Sequence, residues 1–341
     1  MANQKVTAKK VIVVGGGIMG CLTALALRER GCSVTLVERN IVAAQTSGES
    51  SWAGAGILFP LLPWMYKDAV NQLAMAGTKL YPALCKRLLD ETGIDPEYTQ
   101  SGMQILRPFD ESAALNWCAQ YQIPAQQNSN GLLLPSVSQV RPPNLLQALR
   151  QILIQQNVTL LENTQLEPLK NVDKIDGWQT NNGAVLEADA FVVTSGAWSF
   201  ELLKETAAEL NIKPMRGQIL LFDNVPEIPK SIIYSNGFYL VPRRDGLLLA
   251  GSTLEDVGFD TRTTIEVKQD LKIKAESILP SLKHATIRKH WSGLRPGTPD
   301  NLPTIAAHPT IKNLYLNTGH FRYGLTMAPA SAERIAKLVC A

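Results

Sequence analysis

The chain has 341 residues, 45% of them hydrophobic and 18% charged, with a net charge of +3 at pH 7. That is room for two domains with a sizeable core, and the composition excludes a disordered chain. The small charge, with no interleaving of basic and aromatic residues, argues against nucleic acid as partner and leaves small metabolites. Cys21, Cys32, Cys85, Cys118 and Cys340 show no metal-ligand spacing; such sparse usage fits reduced thiols in a cytoplasmic protein, and they are expected to be core fillers. The basic N-terminus leads through a short apolar run into glycines, so a secretory signal is not expected. The apolar stretch "GAGILFPLLPWMY" is too short and too rich in proline to span a bilayer, which leaves only peripheral membrane contact open.

In chain order, Val11–Val14 reads as a buried strand, Ile18–Arg30 as a helix stopped by Gly31, and Ser33–Glu38 as a second strand, together a βαβ unit. A Ser/Gly-rich loop, "QTSGESSWAGAG", precedes a long amphipathic helix around Ala69–Leu89. Residues 95–140 are broken and strand-like, with "GMQILRP" the clearest strand. "PPNLLQALRQILIQQ" predicts a helix, "VTLLE" a strand, and "AVLEADAFVVTSGAW" a hairpin end running into a buried strand. "GQILLF", "GFYLVPR" and "GLLLAGST" predict an antiparallel sheet. The chain closes on a strand, "NLYLNTG", and a helix, "GLTMAPASAERIAKLV". One α/β domain interrupted twice by pieces of a sheet-rich one is the expected organisation.

Gly15, Gly17 and Gly20 form G-x-G-x-x-G between a strand and a helix. Gly15 allows the tight turn, Gly17 lets a pyrophosphate approach the backbone, Gly20 permits close helix-to-strand packing, and the helix N-terminus offers free N–H groups to the anion. Glu38, at the end of the second strand, is placed to accept from a ribose hydroxyl. A dinucleotide is expected. This motif does not separate NAD from FAD.

Other segments do. "VIVVGGGIMG", "SSWAGAGILFPLLPW", "VVTSGAWS", "YLVPRRDGLLLAGSTLE", "HWSGLRPGTPDNLPTI" and "LNTGHFRYGLTMAPASA" together resemble the glycine oxidases, within the D-amino-acid oxidase group of FAD enzymes. The resemblance runs from end to end of the chain. It implies an α/β fold with a Rossmann-like, glutathione-reductase-like FAD-binding domain and an interleaved, mainly antiparallel substrate domain. The expected division is 1–84, 139–213 and 291–341 for FAD binding, against 85–138 and 214–290 for substrate. The cofactor-contacting set is expected at Gly15, Gly17, Ile18, Met19, Gly20, Glu38, Arg39, Ser51, Gly56, Ile57, Leu166, Ser195, Gly196, Trp198, Gly319, Arg322, Gly324 and Leu325. "RPGTPDNLP" has no cysteine where the related sarcosine oxidases tether their flavin, so FAD is expected to be non-covalent. N–H groups of the C-terminal helix are expected to face the flavin pyrimidine and stabilise charge on the reduced ring.

A planar guanidinium can donate two parallel hydrogen bonds to a substrate carboxylate. The resemblance places that role on Arg295, in G-L-R-P-G; a buried ion pair at the domain junction is the alternative. Tyr239 matches the tyrosine that joins the arginine, Arg322 a second arginine near the site, and Leu254 an apolar side chain closing the pocket. For these three the bland alternatives are a core aromatic, a solvated loop charge and a core leucine. Gly237, Phe238 and Tyr323 depart from the family pattern and leave the exact amine open. Trp52, Trp64 and Tyr66 lie in or beside the segment resembling an entrance loop, with core packing the equal alternative. The histidines lack metal-ligand spacing, so no metal is expected, and Ser195 is not in G-x-S-x-G.

The expected activity is FAD-dependent oxidative deamination of glycine or another small amino acid to keto acid, ammonia and hydrogen peroxide, with a link to thiamine thiazole biosynthesis. The rivals are a broader primary-amine or D-amino-acid oxidase, a dehydrogenase passing electrons to a quinone, and a non-enzymatic FAD-binding subunit. Retention of both Tyr239 and Arg295 argues against the last of these. Oxygen and a small amino acid or amine are the expected partners, and the family favours homo-oligomers.

Overall fold

The computed structural model describes residues 8–46 and 48–341. The first residues of the basic N-terminus and Ser47 of the Ser/Gly-rich loop lie outside them.

The strand Lys10–Val14 stands between Ser33–Val37 and Ala190–Val193, parallel to both. Covered on both faces, it is apolar throughout its buried length, as a central parallel strand must be. Leu314–Thr318 and Thr159–Leu161 extend the parallel set on either side, and Thr304–Ala307 closes one edge antiparallel. The helix Ile18–Glu29 crosses from the first strand to the second, completing the βαβ unit. At Gly20 it lies so close to the strand end that a Cβ would stand 1.7 Å from the Gly15 carbonyl oxygen. Only glycine fits there, and no small shift of a flexible side chain would relieve the overlap.

The second sheet runs in the order Thr286–Gly297, Lys213–Asp223, Leu248–Gly251, Phe238–Pro242, Ile232–Ser235, Met103–Leu106, Gly131–Leu134, Gln126–Asn128. It is antiparallel except where Ile232–Ser235 meets Met103–Leu106. One apolar core is continuous from Val13 of the first sheet to Ile105, Ile219 and Tyr239 of the second, so the two sheets pack as one body. The helices Asp68–Thr92 and Gly324–Cys340 pack side by side, and the second also packs on the helix Ile18–Glu29 and on the edge of the first sheet.

Several expectations need correction. Two helices of ten or more residues were not expected, Glu111–Gln120, inside the supposedly strand-like region, and Ile265–Ile278, nor were the short ones Ser50–Ala53 and Ser199–Leu203. The two longer ones carry a side-chain N-cap, Asp110 accepting from the Ala113 N–H and Thr264 from the Val267 N–H, a signal available in the sequence. The strand Thr286–Gly297 continues through residue 291, and the helix Asp68–Thr92 passes through residue 84, so these two expected domain boundaries fall inside regular elements. Cys21, Cys32, Cys85 and Cys118 are buried, but Cys340, in the last turn of the terminal helix, is exposed.

Candidate active site

A cavity of about 300 Å³ runs from the G-x-G-x-x-G turn and Glu38 to Tyr239 and Arg295 on the second sheet. At its Glu38 end the wall combines the glycine turn with Glu38, Arg39, Leu166 and Trp198. Glu38 accepts from the Gly16 N–H at 2.6 Å and from the Asn40 N–H at 2.9 Å, which fixes the glycine turn against the end of the second strand. Each carboxylate oxygen keeps a lone pair for a further donor such as a ribose hydroxyl. Burial raises the Glu38 pKa, and the two N–H bonds oppose that shift. The Ile18 N–H, in the first turn of the helix, donates to Ser51 Oγ at 3.0 Å, so one of the helix's free N–H groups is already satisfied. Arg39 lies over the Trp198 ring, 3.6 Å from its centroid.

Further along, three segments converge. Gly56 and Ile57 form one wall, Ser195 and Gly196 another, and Gly319, Gly324 and Leu325 a third. Ser199 and Thr318 share a 2.7 Å hydroxyl bond that joins the second and third of these. His320, at the same bend, meets Ser331 Oγ through Nε2 at 2.9 Å. Burial pushes its pKa down to about 3, so it is neutral at physiological pH. The first turn of the C-terminal helix, Gly324 to Thr326, opens onto the cavity.

At the far end Arg295 lies over Gly217 on the neighbouring strand, where a Cβ would stand 2.1 Å from Nη1. Nη1 donates to the Thr253 carbonyl at 3.2 Å and Nη2 to Ser252 Oγ at 2.8 Å. Tyr239 faces Gly251 across the strand pair, and a Cβ on Gly251 would be 3.5 Å from its hydroxyl. Gly217 thus leaves room for the guanidinium, whereas at Gly251 a Cβ would make ordinary contact with the phenol and crowd Ile219 Cγ1 at 2.8 Å. Burial lowers the Arg295 pKa, Tyr239 opposes this, and the charge of Arg322 adds to the lowering. Arginine nonetheless stays protonated. Among the described residues neither Arg295 nor Arg322 has a carboxylate within 4.0 Å. Arg295 and the solvent-exposed Arg322 therefore border one cavity without an acidic partner, and an incoming anion would meet positive charge there.

The cavity collects nearly every residue expected to contact the cofactor: Gly15, Gly17, Ile18, Met19, Glu38, Arg39, Ser51, Gly56, Ile57, Leu166, Ser195, Gly196, Trp198, Gly319, Arg322, Gly324 and Leu325. Gly20 lies behind it, in the packing role already described. Tyr239, Arg295 and Arg322 border it too, but Leu254 does not. Thr253 turns inward, its hydroxyl held by Gln218 and Glu255, and the next side chain is sent to solvent, leaving Leu254 44% exposed. Trp52 is core, stacked on Trp291 with centroids 5.6 Å apart. Trp64 packs beside Phe109 and borders a separate, neighbouring cavity with Tyr234. Tyr323 borders the main cavity and donates to the Leu61 carbonyl at 3.2 Å. Ser252, Gly217 and Gly251 were missed, although glycine inside an otherwise bulky strand is itself a sign of close approach by another group.

The residues fit FAD. The cavity is walled by glycine backbone and Glu38 at the end that suits an adenosine diphosphate, and none of its lining residues is a cysteine. The sequence profile of the FAD dependent oxidoreductase (DAO) family matches residues 10–338. Glycine oxidase of Pseudomonas aeruginosa is 39% identical over 97% of this chain and 95% of its own length. A bifunctional protein ThiO/ThiG of Trichormus variabilis is 31% identical over 97% of this chain and 52% of its own length. The crystal structure of glycine oxidase from Bacillus cereus superposes with a TM-score of 0.87 at 26% identity, covering 97% of this chain and 94% of that one. A profile match over residues 10–338, and a sequence and fold shared with these proteins over nearly the whole chain, place this chain in the FAD dependent oxidoreductase family, within its glycine oxidase group.

Proposed function

We propose that this protein oxidatively deaminates glycine or another small amino acid, giving an imine that hydrolyses to the keto acid and ammonia. The single observation that carries the substrate class is the pair of arginines, Arg295 and Arg322, bordering the cavity without carboxylate partners. FAD, when bound, supplies the hydride acceptor and passes the electrons to oxygen as hydrogen peroxide.

The chain's own residues do the positioning. The Arg295 fork, held at two edges by Thr253 and Ser252, presents its remaining N–H donors to a substrate carboxylate. Tyr239 offers a hydroxyl beside it, and the charge of Arg322 adds to the attraction. A carboxylate fixed at these groups leaves the amino-acid Cα inside the cavity and restrains its rotation, which is what hydride transfer needs. No protein base is required if the amine enters neutral, and the one histidine bordering the cavity, His320, is engaged with Ser331. Participation in thiamine thiazole formation, oxygen as the physiological acceptor and a cytoplasmic setting belong to the same proposal. No helix among the described residues is long and apolar enough to cross a membrane.

The test is anaerobic mixing of the purified yellow protein with glycine, sarcosine, D-alanine and a carboxylate-free amine while flavin absorbance is followed. Bleaching by the amino acids, with the simple amine much slower, is expected. Faster bleaching by the simple amine would favour a general amine oxidase instead.

A further inference from the structure

Glu255 lies outside the cavity, yet its bonds lead back to Arg295. Its Oε2 accepts from Arg216 Nη2 at 2.7 Å and Nε at 3.2 Å. Its Oε1 accepts from Gln218 Nε2 at 3.1 Å and from the Thr253 hydroxyl. That hydroxyl oxygen also accepts from the Gln218 backbone N–H at 2.8 Å, so Thr253 is held from two directions. The Thr253 carbonyl is the one that accepts from Arg295 Nη1. Glu255 and Arg216 are joined through their backbones as well, each N–H donating to the other's carbonyl at 2.9 Å. Arg216 precedes Gly217, the residue under the guanidinium. One carboxylate thus fixes both the carbonyl at the edge of Arg295 and the strand beneath it.

We infer that Glu255 is a positioning residue, which holds the Thr253 carbonyl and through it sets the Arg295 fork for the substrate carboxylate. The inference rests on the reading of Arg295 as the carboxylate partner. Its pieces are built for rigidity. Arg216 is buried, and a second acid, Asp260, stands 3.2 Å from its Nη1, so the arginine stays compensated when Glu255 is changed. Burial raises the Glu255 pKa, but the bonds from Arg216, Thr253 and Gln218 outweigh it and hold the carboxyl below its ordinary value, so it remains a charged acceptor at neutral pH. A misplacement of about 1 Å at a reacting or binding group can cost on the order of 100-fold.

The experiment uses the full-length holoenzyme, with glycine kinetics and a calorimetric Kd for benzoate, a carboxylate that is not turned over. Glu255→Ala is expected to raise the glycine KM and the benzoate Kd about tenfold each, with kcat changing less than about threefold and FAD content unaltered. Glu255→Gln keeps an oxygen for the Thr253 hydroxyl and should recover most of the loss. Thr253→Val cuts the same link without touching Arg216 and should move both constants in the same direction. Arg295→Ala is run beside them. If it weakens benzoate while Glu255→Ala and Thr253→Val do not, the positioning role falls and the carboxylate reading stands. If Arg295→Ala leaves benzoate binding intact, the carboxylate reading fails first and takes this inference with it. Loss of flavin in Glu255→Gln, or equal weakening of glycine and a carboxylate-free amine in Thr253→Val, would show a merely structural role and overturn it.

Discussion

At the Glu38 end the cavity wall is built on one stretch of chain, Val14 to Arg39, which carries the glycine turn and Glu38, with Glu49, Leu166, Trp198 and Glu201 added from other segments. At the Arg295 end it is side chains from separate strands, Tyr239 and Arg295, and Arg295 is given its place by neighbours remote in sequence, Gly217, Ser252 and Thr253. The first end recognises a group common to many dinucleotides, so a turn and a helix N-terminus suffice. The second must orient one small molecule, and orientation needs several fixed groups at once. The two ends should therefore fail separately: damage to one should spare binding at the other.

The largest separation is expected from Arg295→Ala. Loss of two charge-assisted hydrogen bonds should remove about 3 to 5 kcal/mol of productive binding, roughly two to four decades in kcat/KM for glycine. FAD content should stay near normal. Flavin loss in that variant would mean that the two ends are not independent.

Gly217→Ala should come next and is the sharper test. The added Cβ meets only the far end of the Arg295 side chain, which is flexible, so folding should survive while the guanidinium is displaced. A fall of about 10- to 100-fold in kcat/KM is expected, with thermal stability nearly unchanged. Wild-type kinetics would show that the observed seat of the guanidinium does not matter.

The nucleotide end answers in the opposite sense. Ser51→Ala removes the acceptor for the Ile18 N–H and should weaken FAD binding by about 1 kcal/mol, roughly fivefold, as read by fluorescence titration of the apoprotein. The glycine KM of the fully loaded variant should not move, and a change there would blur the contrast. The smallest effect is expected from Leu254→Ala. This side chain is exposed and outside the cavity, so turnover of glycine should change by less than about twofold; a larger change would restore its expected role as a pocket-closing residue.

Legibility in the sequence followed the same division. The βαβ unit was readable because strand, glycine turn, helix and terminal acid are consecutive, and each constrains the next through local sterics. The Glu111–Gln120 helix was not, since its apolar positions lie among polar ones and only its Asp110 cap marks it. Leu254, expected from the resemblance to close the pocket, lies outside the cavity, because the direction of its side chain is not fixed locally. It depends on which neighbour captures Thr253, and that neighbour is Glu255 with Gln218 of another strand. Gly217 and Gly251 carried a signal, bareness within bulky strands, but not the identity of the groups that fill the space.

By itself, then, the sequence determined the dinucleotide end and the alternation of α and β, and the resemblance carried by its G-L-R-P-G and G-F-Y-L motifs singled out Arg295 and Tyr239. Their meeting was decided by tertiary structure. The strands bearing Tyr239, Gly251, Gly217 and Arg295 become neighbours only through the order of the second sheet, and the sheet reaches the nucleotide cavity only because one core joins it to the first. Hydrogen-bonded turns are set by adjacent residues, whereas the position of a guanidinium over a glycine far earlier in the chain is set by registers that no local pattern specifies.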